Sequence, residues 1–560
     1  MDRYRTPGLY FEWQDAPRPA IGAVRSDIAG FVGIAERGPL HRPMKIESWP
    51  QFQSIFGGHI ADSYLAFAAE GFFANGGTTC WVVRVADPAA ARCSRCVLHK
   101  NLHLCASSPG SWGNRLRVLL RPMGNGRFTF VVTLANVGQE VWPDLSFDRS
   151  DRRFVEKIIN GDGGSGLIRY EGGEIGADVV QSEEKWFGTS SRDAFDTPGD
   201  DGLLTLTAEH FSGSGPPPDD PGDRTSVNLT PIPYGLRALE SVDEVSIVAI
   251  PDLVWQPGDK APKFRPQPPT CTRLEGPPNA DVPYELDRPR RPAFDSEAVL
   301  QLQAHLVMHC ENLKDRFAIL DTPFAAASPS AIDLVGLPQS KFAALYYPWV
   351  LVASPLAADG FAFVPPSGHV AGVYAGCDRR VGVHKPPANE PLEGVADLAY
   401  HVDDLEHARL NDRSVNVIRS FPGRGIRVVG ARTLAAPDDS QWKYVSVRRL
   451  LTMVEESIDE STQWVVFEPN NPESWREVDR VIRSFLDDLW RRGMLDGATA
   501  EAAYSVRCDQ TTNPPEAIEN GRMTCEVGVQ PPWPAEFVVV RIGRTASGTQ
   551  VDETHGGVDA

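Results

Sequence analysis

The pattern that most restricts this chain lies between Glu244 and Pro323. "EVSIVAIPDL" (244–253) reads as an apolar strand, "SEAVLQLQAHLVMHCENL" (296–313) as an amphipathic helix and "RFAILDTP" (316–323) as a second strand. Two strands joined through a helix pair in parallel, and parallel strands are covered on both faces. The chain must therefore build an α/β core around a mainly parallel sheet. At 560 residues it is too long for one ordinary domain, and two to four are expected.

The residues upstream feed the same core. Pro7, Gly8, Pro17 and Pro19 exclude a helix from the first twenty-odd positions, where "LYFEW" suits a strand. "IAGFVGIAERGP" is a strand ending in a turn. "SWPQFQSIFGG" predicts a short helix with Ser48 as N-cap, Pro50 in its first turn and Gly57 as its stop. "DSYLAFAAEGFFANGG" predicts a second helix, and "TTCWVVRVA" a strand buried on both faces. From 117 to 234 the texture changes to strand-like runs such as "GRFTFVVTL" between Gly, Asp, Ser and Pro clusters, which predicts a β-rich peripheral insertion. Residues 255–292 hold ten prolines in 38 positions, too many for regular structure, so a surface loop is expected.

The last section predicts a helix at "VSVRRLLTMVEESIDEST", with Val447, Leu450, Leu451, Val454 and Ile458 on one face. "QWVVFEPN" reads as a strand. "ESWREVDRVIRSFLDDLWRRGML" reads as a long helix with the stripe Trp475, Val478, Ile482, Phe485, Leu486 and Leu489. "AYSVRCD", "MTCEVGVQ" and "EFVVVRIG" are short closing strands. The last places Phe537, Val538, Val539 and Val540 just before a loose polar tail. So late an apolar strand must pair inward or with another molecule, because an uncovered edge invites aggregation.

A net charge of −19 argues against a general nucleic-acid or anionic-membrane binder. No run of 18 apolar residues appears, and "MDRYRTPGLYFEW" lacks the apolar core of a signal peptide. Nine cysteines, an odd number without regular spacing, suit a reducing cytoplasm.

Catalytic patterns are sparse. "NGDGGSG" has no lysine partner and reads as a turn rather than a phosphate cradle, and no GxSxG or HExxH is present. Asp252 and Asp321 follow two predicted neighbouring strands, the edge where open α/β sheets place ligands, and could hold Mg²⁺; turn-starting aspartates are the plainer reading. "CSRCVLHKNLHLC" offers Cys93, Cys96, His99, His103 and Cys105 to zinc. A structural zinc site usually draws a second ligand pair from a distant segment, so reduced surface cysteines are the expectation. Glu455 and Glu456 read as part of a solvated or interface helix face.

Taken together and in order, many stretches make the chain resemble the tail sheath proteins of contractile phages and contractile injection systems. They include "TPGLYFEW", "IAGFVGIAERGP", "FFANGGTTCWVVRV", "PGSWGNRLRV", "LRALESVDEVSIVAIPDL", "PPSGHVAGVYAGCDRRVGVHKPPANEPLEGV", "NVIRSFPGRGIRVVGARTL", "QWVVFEPNNPESWREV" and "FLDDLWRRGMLDGATAEAAYSVRCD". The proline-rich segment and the cysteine–histidine cluster look added to that pattern. The resemblance implies a multidomain α/β (α+β) structural protein that is not an enzyme and needs no cofactor. Its mixed-sheet core domains would carry a β-rich insertion and extended terminal strand arms.

Its implied organisation is an N-terminal arm (1–22), the first part of the core (23–116), an outer insertion (117–234) and a central domain (235–435). An inner domain (436–530), a C-terminal strand arm (531–545) and a tail (546–560) would follow. Copies would assemble in the cytoplasm as stacked hexameric rings around an inner tube protein, with baseplate and cap proteins as further partners. This chain itself would neither bind nucleic acid nor insert into membrane. Contraction would drive the tube through a target membrane. Leu9, Tyr10 and Phe11 would lie in the N-terminal arm, and Phe537, Val538, Val539, Val540 and Ile542 in a C-terminal strand lent to a neighbour. Gly8 and Pro531–Pro534 would serve as flexible joins. The helix from Glu473 to Leu495 would face the tube through Arg476, Arg480, Arg483, Asp487, Asp488, Arg491 and Arg492. The alternatives are a non-contracting sheath-like or capping protein, and a metal-dependent enzyme using Asp252 and Asp321.

Overall fold

The computed structural model describes residues 20–135, 137–174, 181–188, 196–215, 233–254, 291–324, 338–357 and 359–536. Its centre is a nine-stranded mixed sheet. From one edge the strands run Glu390–Pro391, Gly425–Val428, Val415–Phe421, Ala343–Tyr347, Phe317–Asp321, Ile247–Ala249, Ala29–Gly33, Cys80–Arg84 and Met44–Ile46. The six inner strands from Val415–Phe421 to Cys80–Arg84 pair in parallel, and the edges are antiparallel. The expected βαβ unit is present: Ile247 pairs with Phe317 in parallel, and the intervening helix Ser296–Leu313 starts at Asp295, which accepts from the Ala298 N–H.

Both faces of the sheet are covered, as parallel pairing requires. One face packs under Leu302, Leu306 and Val307 of that helix. The other packs under the helices Leu65–Ala74 and Ser367–Arg380. These two helices touch backbone to backbone. A Cβ at Gly368 would come within 2.3 Å of Ala68 Cα, and one at Gly372 within 2.5 Å of the Phe72 carbonyl. Local signals elsewhere act as the sequence predicts. Ser48 caps Trp49–Phe56 by accepting from the Gln51 N–H, Pro50 sits in the first turn, and Gly57 ends the helix at φ 87°.

A second unit stands on its own core. A four-stranded antiparallel sheet (Glu183–Trp186, Leu116–Gly124, Arg127–Leu134, Gly138–Ser146) and a three-stranded one (Arg95–Leu98, Leu102–Ala106, Ile168–Gly172) enclose Cys96, Leu104, Trp112, Phe128 and Phe130. Packing starts this β-rich unit near Cys96, upstream of 117. It ends the unit before Leu206, because Leu206, Phe211, Leu236 and Leu239 return to the central sheet. Strand-poor linkers hid both limits from a reading of texture.

The third unit joins the helices Val445–Thr462 and Pro472–Arg491 to the hairpin Tyr504–Arg507/Glu526–Val529. Trp475, Val478, Ile482, Phe485, Leu486 and Leu489 are all buried, as the stripe predicted. "QWVVFEPN" differs from expectation: Gln463–Val465 form a 3-10 turn, and Phe467 stands fully exposed at φ 71°. This apolar segment has no strand beside it among the described residues, so its propensity goes unused.

Gly368→Val would force two helix backbones apart. It is expected to cost about 3 kcal/mol by overpacking, read as a lower urea midpoint, whereas Gly58→Ala, where an added Cβ meets nothing within 4 Å, should cost far less.

Candidate functional site: the junction that anchors both chain ends

The two aspartates singled out by the sequence lie at the ends of neighbouring parallel strands, but each is used up internally. Asp252 is fully buried. One carboxylate oxygen accepts from the Ile34 N–H at 2.7 Å and the Ser63 hydroxyl at 2.9 Å, and the other from the Tyr64 N–H at 2.6 Å. It ties the turn after Ala29–Gly33 to the start of the Leu65–Ala74 helix. Asp321 accepts from the Ser367 N–H at 2.9 Å, at the N-terminus of Ser367–Arg380, and burial lifts its carboxyl to about 7 against that bond. The proposed Mg²⁺ role therefore gives way to two structural ones: both groups complete backbone donors that the fold would otherwise leave bare.

The cysteine–histidine cluster is also taken apart by the structure. The residues lie on a hairpin, not in one loop. Cys96 stands opposite Leu104 and faces the core, whereas Cys105 stands opposite Arg95 and points to the other face. Cys96 and Cys105 are buried rather than on the surface, and burial pushes both thiols and that of Cys93 up. Glu183 accepts from the His99 N–H at 2.5 Å. Among the described residues no three His, Cys, Asp or Glu side chains gather in a way that could hold a metal ion.

The polar face of Pro472–Arg491 is paired within itself. Arg480 meets Glu477, Arg483 meets Asp479 at 2.7 Å, Arg491 meets Asp487 at 2.8 Å, and Arg492 meets Asp488 at 2.7 Å. Arg476 donates to the Pro472 carbonyl, and Arg483 also reaches the Val506 carbonyl. Such exposed pairs are screened by water, contribute little to stability and leave a nearly neutral, mixed-sign surface. Glu455 pairs with the buried Arg448 at 2.7 Å. Burial, with Asp315 and the neighbouring acids, lifts Glu456 to about 7.

What sequence reasoning missed is a junction where the chain enters and leaves the body. Arg449 and Asp378, both buried, pair at 2.6 Å. The same guanidinium donates to the Ser26 carbonyl at 2.7 Å, and the Ser26 hydroxyl donates to Asp378. The Val24 N–H donates to the Ser457 hydroxyl. At the other end Glu536 takes a two-pronged contact from Arg432 (2.6 and 2.8 Å) and bonds from Lys443 and Tyr444, while Trp533 packs edge-on to Tyr444. Partial burial pushes the Glu536 carboxyl up, but Arg432 and Lys443 outweigh it and hold it at about 2. Pro531–Pro534, expected to be a free join, are thus bracketed by these contacts. The arm residues Leu9, Tyr10, Phe11, Phe537, Val538, Val539, Val540 and Ile542, with Gly8 and residues 255–290, lie outside the described residues. A signal for the C-terminal anchor existed in the lone acid Glu536 before an apolar run, but its partners are over ninety residues away in sequence.

Residues 292–434 match the family model for the phage tail sheath protein central domain, and 437–544 match that for the phage tail sheath C-terminal domain. Among curated proteins, the tail sheath protein of Enterobacteria phage T4 is 25% identical over 35% of this chain and 29% of its own length. That of Salmonella phage ViI is 24% identical over 36% and 31%. The chain thus aligns with under a third of either relative's length. The fold matches the sheath of an extracellular contractile injection system in its contracted state (PVC), with TM-score 0.54, 21% identity and coverage of 97% of this chain and 99% of that one. It also matches a sheath tail protein of Desulfitobacterium hafniense, with TM-score 0.55, 13% identity and coverage of 90% and 94%. The match to the C-terminal domain model runs past Glu536 to 544 and so includes the stretch Phe537–Ile542.

Arg449→Ala would strand a buried carboxylate and is expected to cost about 3–5 kcal/mol in urea unfolding, while the apolar double variant Arg449→Leu/Asp378→Leu should regain most of that loss. For Glu536 the sign follows from its lowered pKa: its contribution is present above the ordinary carboxylate range and disappears as pH falls toward 2. The stability gap between wild type and Glu536→Gln should therefore be full at pH 7 and narrow steadily below about pH 4.

Proposed function

We propose that this chain is the repeating structural subunit of a contractile sheath, in a phage tail or a phage-tail-like particle. The observation that carries this reading is the pair of sheath domains, in order, on a body whose fold matches sheath subunits along nearly its whole length. Copies assemble in the cytoplasm as stacked hexameric rings around an inner tube, bounded by baseplate and cap proteins, and contraction drives the tube through a target membrane.

The terminal arms join the copies. Residues 1–22 and 531–545 act as strands exchanged between neighbours, with Leu9, Tyr10 and Phe11 in one and Phe537–Val540 and Ile542 in the other. Two features support this. Among the described residues the hairpin Tyr504–Arg507/Glu526–Val529 is a two-stranded sheet, with Glu526, Val527 and Gly528 exposed. Beside the helices of the same unit, Val466 and Phe467 stand exposed on a segment of high strand propensity. An added strand of about five backbone bonds at ~1 kcal/mol each would supply roughly 5 kcal/mol per arm before side-chain burial. The Pro472–Arg491 helix faces the tube, presenting its self-paired charges. The β-rich unit and the 255–292 segment face outward.

Deleting 537–560 keeps the Glu536 anchor and removes only the lent strand. The expected product is a folded monomer that forms no tubes in negative-stain micrographs, where the full chain forms striated or hollow cylinders. Cylinders of normal length from the truncated chain would reject the exchanged-arm reading.

A further inference from the structure

Two cysteines have no part in the sheath reading. Cys508 follows the Tyr504–Arg507 strand, and Cys525 precedes Glu526–Val529. Arg507 stands opposite Glu526, so the next step of the antiparallel ladder sets Cys508 opposite Cys525. Both thiols are free. The ladder also tells which kind of step this is. The Gln530 N–H donates to the Ala503 carbonyl at 2.8 Å, making 503–530 a hydrogen-bonded step. Hydrogen-bonded and open steps alternate, which makes 505–528 and 507–526 bonded and 508–525 open. At open steps the Cα atoms approach to about 4.5 Å, inside the roughly 4.4–6.8 Å that a disulfide spans.

We propose that Cys508 and Cys525 form a reversible oxidation site, converted by a hydroperoxide-class oxidant into an intrachain disulfide that closes the hairpin. One thiolate attacks a peroxide oxygen, the O–O bond breaks, and the hydroxide released takes a proton to leave as water. The sulfenic acid so formed is attacked at sulfur by the second thiolate. The S–S bond forms and the displaced hydroxyl leaves as a second water. The two thiols give up two electrons together, and the peroxide takes them.

The surroundings favour this reaction. Buried Asn513 donates to the carbonyls of Asp509 and Thr524, and its own carbonyl accepts from the Thr524 N–H, which keeps the two strand ends in register. The Cys525 contact and Asn513 ease the Cys508 thiol down against burial, whereas the same contact and burial push the Cys525 thiol up, so Cys508 is the more readily ionised of the two. Cys525 is only half-buried and admits the oxidant, whereas Cys80 and Cys310 are fully enclosed by the central cores. The site rests on the hairpin alone and stands whether or not the chain polymerises.

The full chain is exposed to stoichiometric hydrogen peroxide, residual thiols are alkylated, and trypsin is added without reductant. Cleavage after Arg507, Arg522 and Arg541 leaves one cysteine in peptide 508–522 and the other in peptide 523–541. These two peptides are expected to be recovered mostly as a linked pair that dithiothreitol separates. Oxidation should also raise the apparent Tm by a few degrees, reversibly. Cys525→Ser, at the partly exposed position, should lose both the linked product and the shift. Recovery of both cysteines alkylated, over-oxidised, or bridged to other cysteines or to another chain overturns the proposal, and wild-type protein alone suffices to decide it.

Discussion

The buried ion pair of Arg449 with Asp378 is the contact on which the arrangement of the body depends. Taking two charges out of water costs several kcal/mol per ion, and only close pairing with satisfied hydrogen bonds offsets it. Here the pair is completed by Ser26, and the guanidinium lies 4.8 Å from the centre of the Tyr374 ring. Asp378 belongs to the helix that covers the central sheet, Arg449 to the first helix of the C-terminal unit, and Ser26 to the chain as it enters the body. None of the three can withdraw without leaving a buried charge or carbonyl unpaired. The central and C-terminal units are thereby tied to each other and to the entering chain through one buried polar contact.

The ends of the body are held in the same way. The Val24 N–H is held by Ser457, and Ile21 and Val24 pack on the core of the C-terminal unit. Glu536 is held by Arg432, Lys443 and Tyr444. In an exchanged-arm assembly, pull on a lent C-terminal strand would arrive at a charge-assisted, two-pronged contact rather than at a loop. Arginine suits that position, because its planar fork matches both carboxylate oxygens and keeps its charge at any physiological pH.

Much of this was legible in the sequence, wherever the cause was local. The cap at Ser48, the stop at Gly57, the stripe from Trp475 to Leu489 and the parallel unit from Ile247 to Asp321 each depend on residues within a few turns of one another. What the sequence concealed depends on partners far away. Ala29–Gly33 pairs with Ile247–Ala249 across more than two hundred residues, the β-rich unit included. Arg448 and Arg449 sit in a run that reads as a charged helix surface, yet both are buried. Arg448 is stacked 4.7 Å from the Trp442 ring and 5.0 Å from that of Phe342, and Arg449 is paired with Asp378. Asp252 and Asp321 were placed correctly on the sheet edge, but their oxygens meet backbone donors, which no spacing rule reports. The zinc reading failed for a simpler reason: alternation along a strand sends Cys96 and Cys105 to opposite faces, whatever their distance in sequence.

The mismatch at "QWVVFEPN" carries the most physical content. A stretch containing Trp464, Val465, Val466 and Phe467 has the composition of a strand, yet it ends as a turn with Phe467 fully in water at a left-handed backbone angle. Among the described residues the hairpin of the same unit has two strands, short of the three or more that usually make a small sheet stable by itself. Left alone, both features are unfavourable: exposed aromatic surface forgoes about 25 cal/mol per Å² of burial, and the open edges leave backbone groups to water. Both become favourable at once if a strand from another copy adds here. On the proposed exchanged-arm reading, the isolated subunit has unsatisfied binding capacity here, and a strand from a neighbouring copy would satisfy it.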